Sequence, residues 1–126
     1  MATSISTTHA PAAVGPYSQG VDTGSFVFCS CQIPIDPKIG KIKVYDIEQQ
    51  AAQVFANLAA VLEEAGLGLD AVVKTTLFLV DISDFGAVNE VYARWFTGDP
   101  LPARSAIQVS GLPKGALIGI EAIAMR

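Results

Sequence analysis

The sequence predicts an α+β domain in which one β-sheet carries two helices on a single face. Three observations lead there. Two stretches repeat apolar residues at helical spacing, and runs rich in β-branched residues flank them. Only 16% of the 126 residues are charged against 51% hydrophobic, so one sheet face left without a helix is expected to be hidden by copies of the chain. The length fits one domain over residues 1–126, with about two-thirds of the unfolded surface buried and no need of staples.

The elements follow in order. Residues 1–10 are Ser/Thr-rich and are expected to be loose until they join the first strand. "VGPYSQGV" mixes turn residues with an aromatic, and "SFVFCSCQI" is a short apolar strand between Gly24 and Pro34. "DPKIGK" reads as a turn. From Asp46 to Gly66, residues Ile47, Ala51, Val54, Phe55, Leu58, Val61, Leu62 and Ala65 form one apolar stripe. Asp46 can cap that helix, with Gln49 reaching back, and Gly66 can end it in the left-handed conformation. "AVVKTTLFLV" is a mostly buried strand. A second helix starts near Ser83 or Asp84, aligns Phe85, Val88, Val91, Tyr92, Trp95 and Phe96, and stops at Gly98 and Pro100. Strands at Ala103–Val109 and Leu117–Met125 come last, expected to pair antiparallel around "SGLPKG". The predicted order is β-β-α-β-α-β-β.

Composition excludes several function classes. The net charge of −4 and scattered basic residues argue against a nucleic-acid partner; Lys38, Lys41 and Lys43 read as a solvated loop and strand edge. Cys29 and Cys31 are expected to point the same way from one strand, too far apart for an unstrained disulfide. With His9 the sole histidine, a zinc site lacks ligands, and no metal or organic cofactor is implied. "MATSISTTHA" does not read as a signal peptide, and no apolar run approaches a membrane span, so a soluble cytoplasmic protein without a membrane partner is expected.

One residue stands out. Arg104 opens a strand of small and apolar residues, sharing a face with Ala106 and Gln108, and a guanidinium stays charged at physiological pH. It pairs either with protein, as an Arg104–Glu121 ion pair or an intersubunit bridge, or with a ligand carboxylate held by two parallel hydrogen bonds. "GLGLD" lacks the pattern of a phosphate loop, and Ser30, Ser105 and Ser110 have no histidine base beyond His9. Tyr17 and Asn89, polar residues beside apolar segments, read by themselves as a turn hydroxyl and a surface amide.

The stretches "PAAVGPYSQGV", "SCQIPIDPKIGKI", "NLAAVLEEAG", "VVKTTLFLVDISDFGAVNEVYARWF" and "PARSAIQVSGLPKGALIGIEAIA" together resemble the RidA (YjgF) family over essentially the whole chain. The resemblance implies a chorismate-mutase-like fold, a mixed sheet with two helices on one face, assembled as a homotrimer. It also implies hydrolysis of 2-aminoacrylate, 2-iminobutanoate and related enamine or imine acids to 2-keto acids and ammonia, in clefts between subunits. Arg104 matches the family arginine that holds the substrate carboxylate. Tyr17 and Asn89 match cleft residues, the former from the neighbouring subunit's side, and Ser30 matches the serine of a Ser-Gly-Gln stretch. Ala106 falls where many relatives have a Cys whose backbone carbonyl helps hold the water.

Two positions depart from the family pattern. The glycine of Ser-Gly-Gln is Cys31, whose side chain is expected to narrow the cleft, or to serve as a nucleophile if a nearby arginine lowers its pKa. The family's water-positioning glutamate, fifteen residues after the arginine, is Gly119, while Glu121 matches a second, less critical carboxylate. Glu121 shares a strand face with Gly119, with Cα atoms about 6.5–7 Å apart. The expectation is a weakened deaminase; the alternative is a repurposed or non-catalytic binder of small carboxylates on the same scaffold. Because glycine is a poor strand residue, the backbone at position 119 is expected to accept a glutamate.

Overall fold

The computed structural model describes residues 1–126 and places six strands in one sheet with two helices across one face. In chain order these are β1 (Thr3–Ile5), β2 (Gly20–Asp22), β3 (Phe26–Gln32), α1 (Ile47–Glu64), β4 (Val72–Leu79), α2 (Phe85–Trp95), β5 (Ala103–Gln108) and β6 (Ile118–Met125). Across the sheet they run β1-β2-β3-β6-β4-β5.

Both helices form where the apolar periodicity puts them. The carboxylate of Asp46 accepts the N–H of Gln49 and caps α1. At the other end Gly66 takes φ +77°, and the Gly66 and Leu67 N–H groups close back on Glu63 and Leu62, a Schellman stop. The stripe of α1 is wholly buried at Val54, Phe55, Leu58, Val61 and Leu62. Each such side chain contributes about 1.5–3 kcal/mol when taken from water. Phe55 meets Tyr92 and Phe96 edge-on, with ring centroids 5.6 and 5.7 Å apart, and thereby joins the two helices.

Four expectations need correction. The N-terminal segment is not a loose tail: Thr3–Ile5 adds a strand antiparallel to β2, so three strands precede α1 instead of two. Ile5 and Ala10 are buried, and burial of these two apolar side chains offsets part of the entropy of ordering the segment. The last two strands do not form a hairpin. β5 pairs parallel with β4 through the α2 crossover, and β6 inserts between β3 and β4, antiparallel to both. Cys29 and Cys31 also point to opposite faces. Cys29 pairs with Ala122 and Gln32 with Ile120, so β3 carries one extra residue, and this bulge turns Cys31 outward while Cys29 stays in the core. Finally, a side chain at position 119 would collide with the Cys31 thiol as it stands.

The sheet face away from the helices carries Phe26, Phe28, Ile107 and Met125, each at least 40% exposed, around the polar patch Lys74, Thr76 and Glu121. No helix of this chain covers that face. No helix is long and apolar enough to cross a membrane.

Candidate functional site

Strand register decides what Arg104 can touch. It stands opposite Thr75 on β4, and Thr75 is fully buried toward the helices, where its hydroxyl shares a 2.8 Å hydrogen bond with that of Tyr92. Glu121 stands opposite Thr76, one residue on, and therefore on the other face. The sheet separates the two groups, so an Arg104–Glu121 ion pair within the chain is ruled out. The chain's ion pairs are Lys43–Asp36 and Arg126–Asp22, and neither involves Arg104.

Instead, Nη1 of Arg104 donates to Oδ1 of Asn89 at 2.7 Å. Its guanidinium carbon lies 5.2 Å from the Phe85 ring centroid and 4.8 Å from that of Tyr92. Arg104 and Ala106 line a cavity of about 390 Å³ with Ile82 and Phe85. This half of the candidate site is a cation held by one amide and two rings, with no carboxylate opposite it.

The second half lies on the other side of the molecule. A cavity of about 610 Å³ brings together Tyr17, Ser30, Cys31 and Glu121, with Phe78 and Lys114 on its wall. Hydrogen bonds build its rim. Ser30 Oγ donates to the Ser18 carbonyl at 2.6 Å, and Val14 N–H donates to Tyr17 Oη at 3.4 Å. Gln19, 4% exposed, ties the segment 7–11 over the pocket: its Oε1 accepts from Thr7 N–H at 2.7 Å, and its Nε2 donates to the Pro11 carbonyl at 2.7 Å. Asn57 on α1 supports the opposite wall by donating to the carbonyls of Ile33 and Ile35 at 3.1 and 2.9 Å. Sequence reasoning missed Gln19 and Asn57. Polar residues beside apolar neighbours were the available signal, but their partners are distant in the chain.

Gly119 is buried under Cys31. A Cβ at position 119 would lie 2.7 Å from Cys31 Sγ and 3.4 Å from the Gln32 carbonyl oxygen. The expectation that this backbone accepts a glutamate is overturned, because the thiol already fills the space. The expected activation of Cys31 is also not met by the chain's own groups. Burial of the sulfur, then the neighbouring Glu121 carboxylate, push its pKa up to about 11. Arg104, the expected activator, is on the far side of the sheet. Burial pushes the Cys29 thiol up to about 12.

The candidate residues thus fall into two groups that the chain joins nowhere. Arg104, Asn89 and Ala106 form one half; Tyr17, Ser30, Cys31 and Glu121 form the other, with Gly119 beneath it. No three His, Cys, Asp or Glu side chains gather as a metal-binding group.

Comparison with known proteins supplies a frame for this arrangement. A family model described as endoribonuclease L-PSP matches residues 7–126. A RutC family protein of Pyrococcus horikoshii is 52% identical over 122 residues, covering 97% of this chain and 96% of that one. A protein of Salmonella typhimurium named 2-iminobutanoate/2-iminopropanoate deaminase is 49% identical over 128 residues, covering 100% and 99%. The crystal structure of the Rid-family protein YyfA from Yersinia pestis superposes with a TM-score of 0.97 at 46% identity, covering both chains completely.

Proposed function

The chain belongs to the RidA (YjgF) family, and we propose that it hydrolyses small 2-imino acids to 2-keto acids and ammonia in clefts shared between copies of itself. The observation that carries this reading is the exposed fork of Arg104, which Asn89 and two rings hold in place with no carboxylate of the chain to neutralise it. A bidentate contact to a ligand carboxylate uses such a fork fully. The half-site with Tyr17, Ser30 and Glu121 then comes from a neighbouring subunit, and the uncovered sheet face supplies the contact. A homotrimer with three clefts satisfies both demands.

Chemically, water adds to the imine carbon, the carbon–nitrogen bond of the resulting carbinolamine breaks, and ammonia leaves. Both protons of the water must reach the leaving nitrogen, one on addition and the second from the carbinolamine hydroxyl as the carbon–nitrogen bond breaks. Glu121, the one carboxylate lining the larger cavity, is the group available to carry each in turn. Position 119 supplies none, so the proposed rate is low for the family.

RNA cleavage, which the family model's description names, is disfavoured by the net charge of −4 and by the lack of a basic cluster. A second reading, a binder of small carboxylates without turnover, is favoured by one observation: Cys31 Sγ occupies the space that a carboxylate side chain at 119 would enter.

The test is ammonia release from freshly generated 2-iminopropanoate, alongside pyruvate binding by calorimetry, in the unmodified chain and in Arg104→Ala. Arg104→Ala is expected to weaken pyruvate about tenfold to a hundredfold while leaving the circular dichroism spectrum unchanged. Pyruvate binding without acceleration of imine hydrolysis selects the binder; no binding at all removes both readings. Sedimentation at micromolar concentration should give three times the 13.2 kDa chain mass, and a monomer would dissolve the shared cleft.

A further inference from the structure

Arg104 lies on the edge strand β5, where a long side chain is free to sweep through solvent. Yet its guanidinium meets three side chains from one stripe of α2. Phe85, Asn89 and Tyr92 stand at i, i+4 and i+7, so a single helix face presents a ring, an amide oxygen and a second ring to one cation.

The stripe is itself anchored. Tyr92 is 8% exposed, stacks on Phe96 with centroids 4.2 Å apart, and shares its hydroxyl hydrogen bond with buried Thr75. Thr75 is the residue in register with Arg104 on the adjacent strand. Backbone register and side-chain contact therefore close a loop: β5 to β4 by pairing, β4 to α2 by Thr75–Tyr92, and α2 back to Arg104. Asn89 takes one N–H of Nη1, the rings restrain the guanidinium through their faces, and the remaining donors are the second N–H of Nη1 and those of Nε and Nη2.

We infer that Phe85 and Tyr92, with Thr75 behind Tyr92, are positioning residues that hold Arg104 ready for a carboxylate. The assignment of that carboxylate to a 2-imino or 2-keto acid rests on the function proposed above. A guanidinium already fixed loses less side-chain freedom on binding, so the platform acts on affinity more than on chemistry. Sequence periodicity places Phe85 and Tyr92 on the core side of α2, and that reading is incomplete: they serve the core and the cation together.

The experiment compares the unmodified protein with Phe85→Leu, Phe85→Tyr and Tyr92→Phe. Three quantities are read: pyruvate affinity, KM against kcat for 2-iminopropanoate, and the Nε–H resonance of Arg104 in the free protein. Phe85→Leu removes a ring face from a half-buried site and should weaken pyruvate about threefold to tenfold. KM should rise by a similar factor with kcat within about twofold, the pattern of lost uniform binding. The Arg104 Nε–H resonance should move toward its unstructured position as the ring current disappears. Phe85→Tyr keeps both rings and should stay within about twofold of the unmodified protein, whereas Tyr92→Phe keeps the ring but releases Thr75 and should weaken pyruvate by a smaller factor than Phe85→Leu.

If Phe85→Leu shifts neither the resonance nor the affinity, the inference is wrong. It is equally overturned if Phe85→Tyr weakens binding as much as Phe85→Leu, because the effect then belongs to the packing of α2. If the unmodified protein binds no pyruvate, the proposed function fails, and the Arg104 resonance alone decides the platform: movement in Phe85→Leu supports it and no movement rejects it.

Discussion

Cys31 Sγ stands 2.7 Å from the point where a Cβ on Gly119 would lie, so these two residues form one packing unit across β3 and β6. The bulge between Cys29 and Gln32 creates the contact by turning Cys31 to the open face, the face that Gly119 shares with Glu121. Gly119 cannot gain a side chain unless the Cys31 thiol moves or is removed.

Gly119→Glu alone is therefore expected to cost about 1–3 kcal/mol of stability through overpacking and to give no gain in imine hydrolysis. Cys31→Gly with Gly119→Glu vacates the space and supplies a second carboxylate beside the pocket. The pair should raise the hydrolysis rate at least tenfold, within the range of about 10²–10⁴ for a well-placed acid–base group. Thermal unfolding and ammonia release on all four members of the cycle test this; a gain in Gly119→Glu by itself would show that the thiol yields easily.

The cysteines should be poor nucleophiles at neutral pH. With Cys31 pushed up to about 11 and Cys29 to about 12, little thiolate exists at pH 7.5, and iodoacetamide should label Cys31 more slowly than a free thiol. The rate should climb with pH up to about 11 and then level. Labelling at pH 7.5 faster than a free thiol, and blocked by pyruvate, would instead reveal a cation contributed by a neighbouring subunit.

Stability should fall at alkaline pH. Both thiols have folded pKa values above the ordinary 9.0, so above pH 9 the unfolded chain loses protons that the folded chain keeps. Unfolding is thereby favoured as pH rises from about 9 through 11 for Cys31 and toward 12 for Cys29. Tyr92, raised above 10.0 first by burial, acts in the same direction. Chemical denaturation between pH 8 and pH 11 should show a steeper decline in the unmodified protein than in Cys29→Ala/Cys31→Ala.

Gln19 and Asn57 should matter more than their surface-like chemistry suggests. Gln19→Leu leaves the Thr7 N–H and Pro11 carbonyl without their partners, and Asn57→Leu does the same to the Ile35 carbonyl, while the Ile33 carbonyl keeps the Ile35 N–H. A fully buried group left unpaired, as at the Ile35 carbonyl, costs about 1–3 kcal/mol, and the part-buried groups at Thr7 and Pro11 lose less because water reaches them. Both variants should lower the unfolding midpoint, and Gln19→Leu should also speed proteolysis within residues 1–12, whose strand it ties to the pocket rim. Unchanged proteolysis would mean that the β1–β2 pairing suffices to hold the segment.

The amino-acid sequence by itself determined the two helices, their caps and the faces they bury, because a 3.6-residue stripe and an Asp or Gly at its ends act within a few neighbouring residues. It also singled out Arg104 as a cation without an obvious partner, and the strand alternation that puts Gly119 and Glu121 on one face. Only the tertiary structure decided what those residues meet. "SGLPKG" reads as a hairpin turn, yet β6 leaves β5 and inserts between β3 and β4, since strand pairing is chosen by burial on the sheet and not by the turn alone. That choice puts Arg104 and Glu121 on opposite faces. One extra residue in β3 then reverses Cys31, a change invisible to period-two counting because the slip depends on the partner strand. Local periodicity is written in the chain; register between distant strands exists only once they are packed.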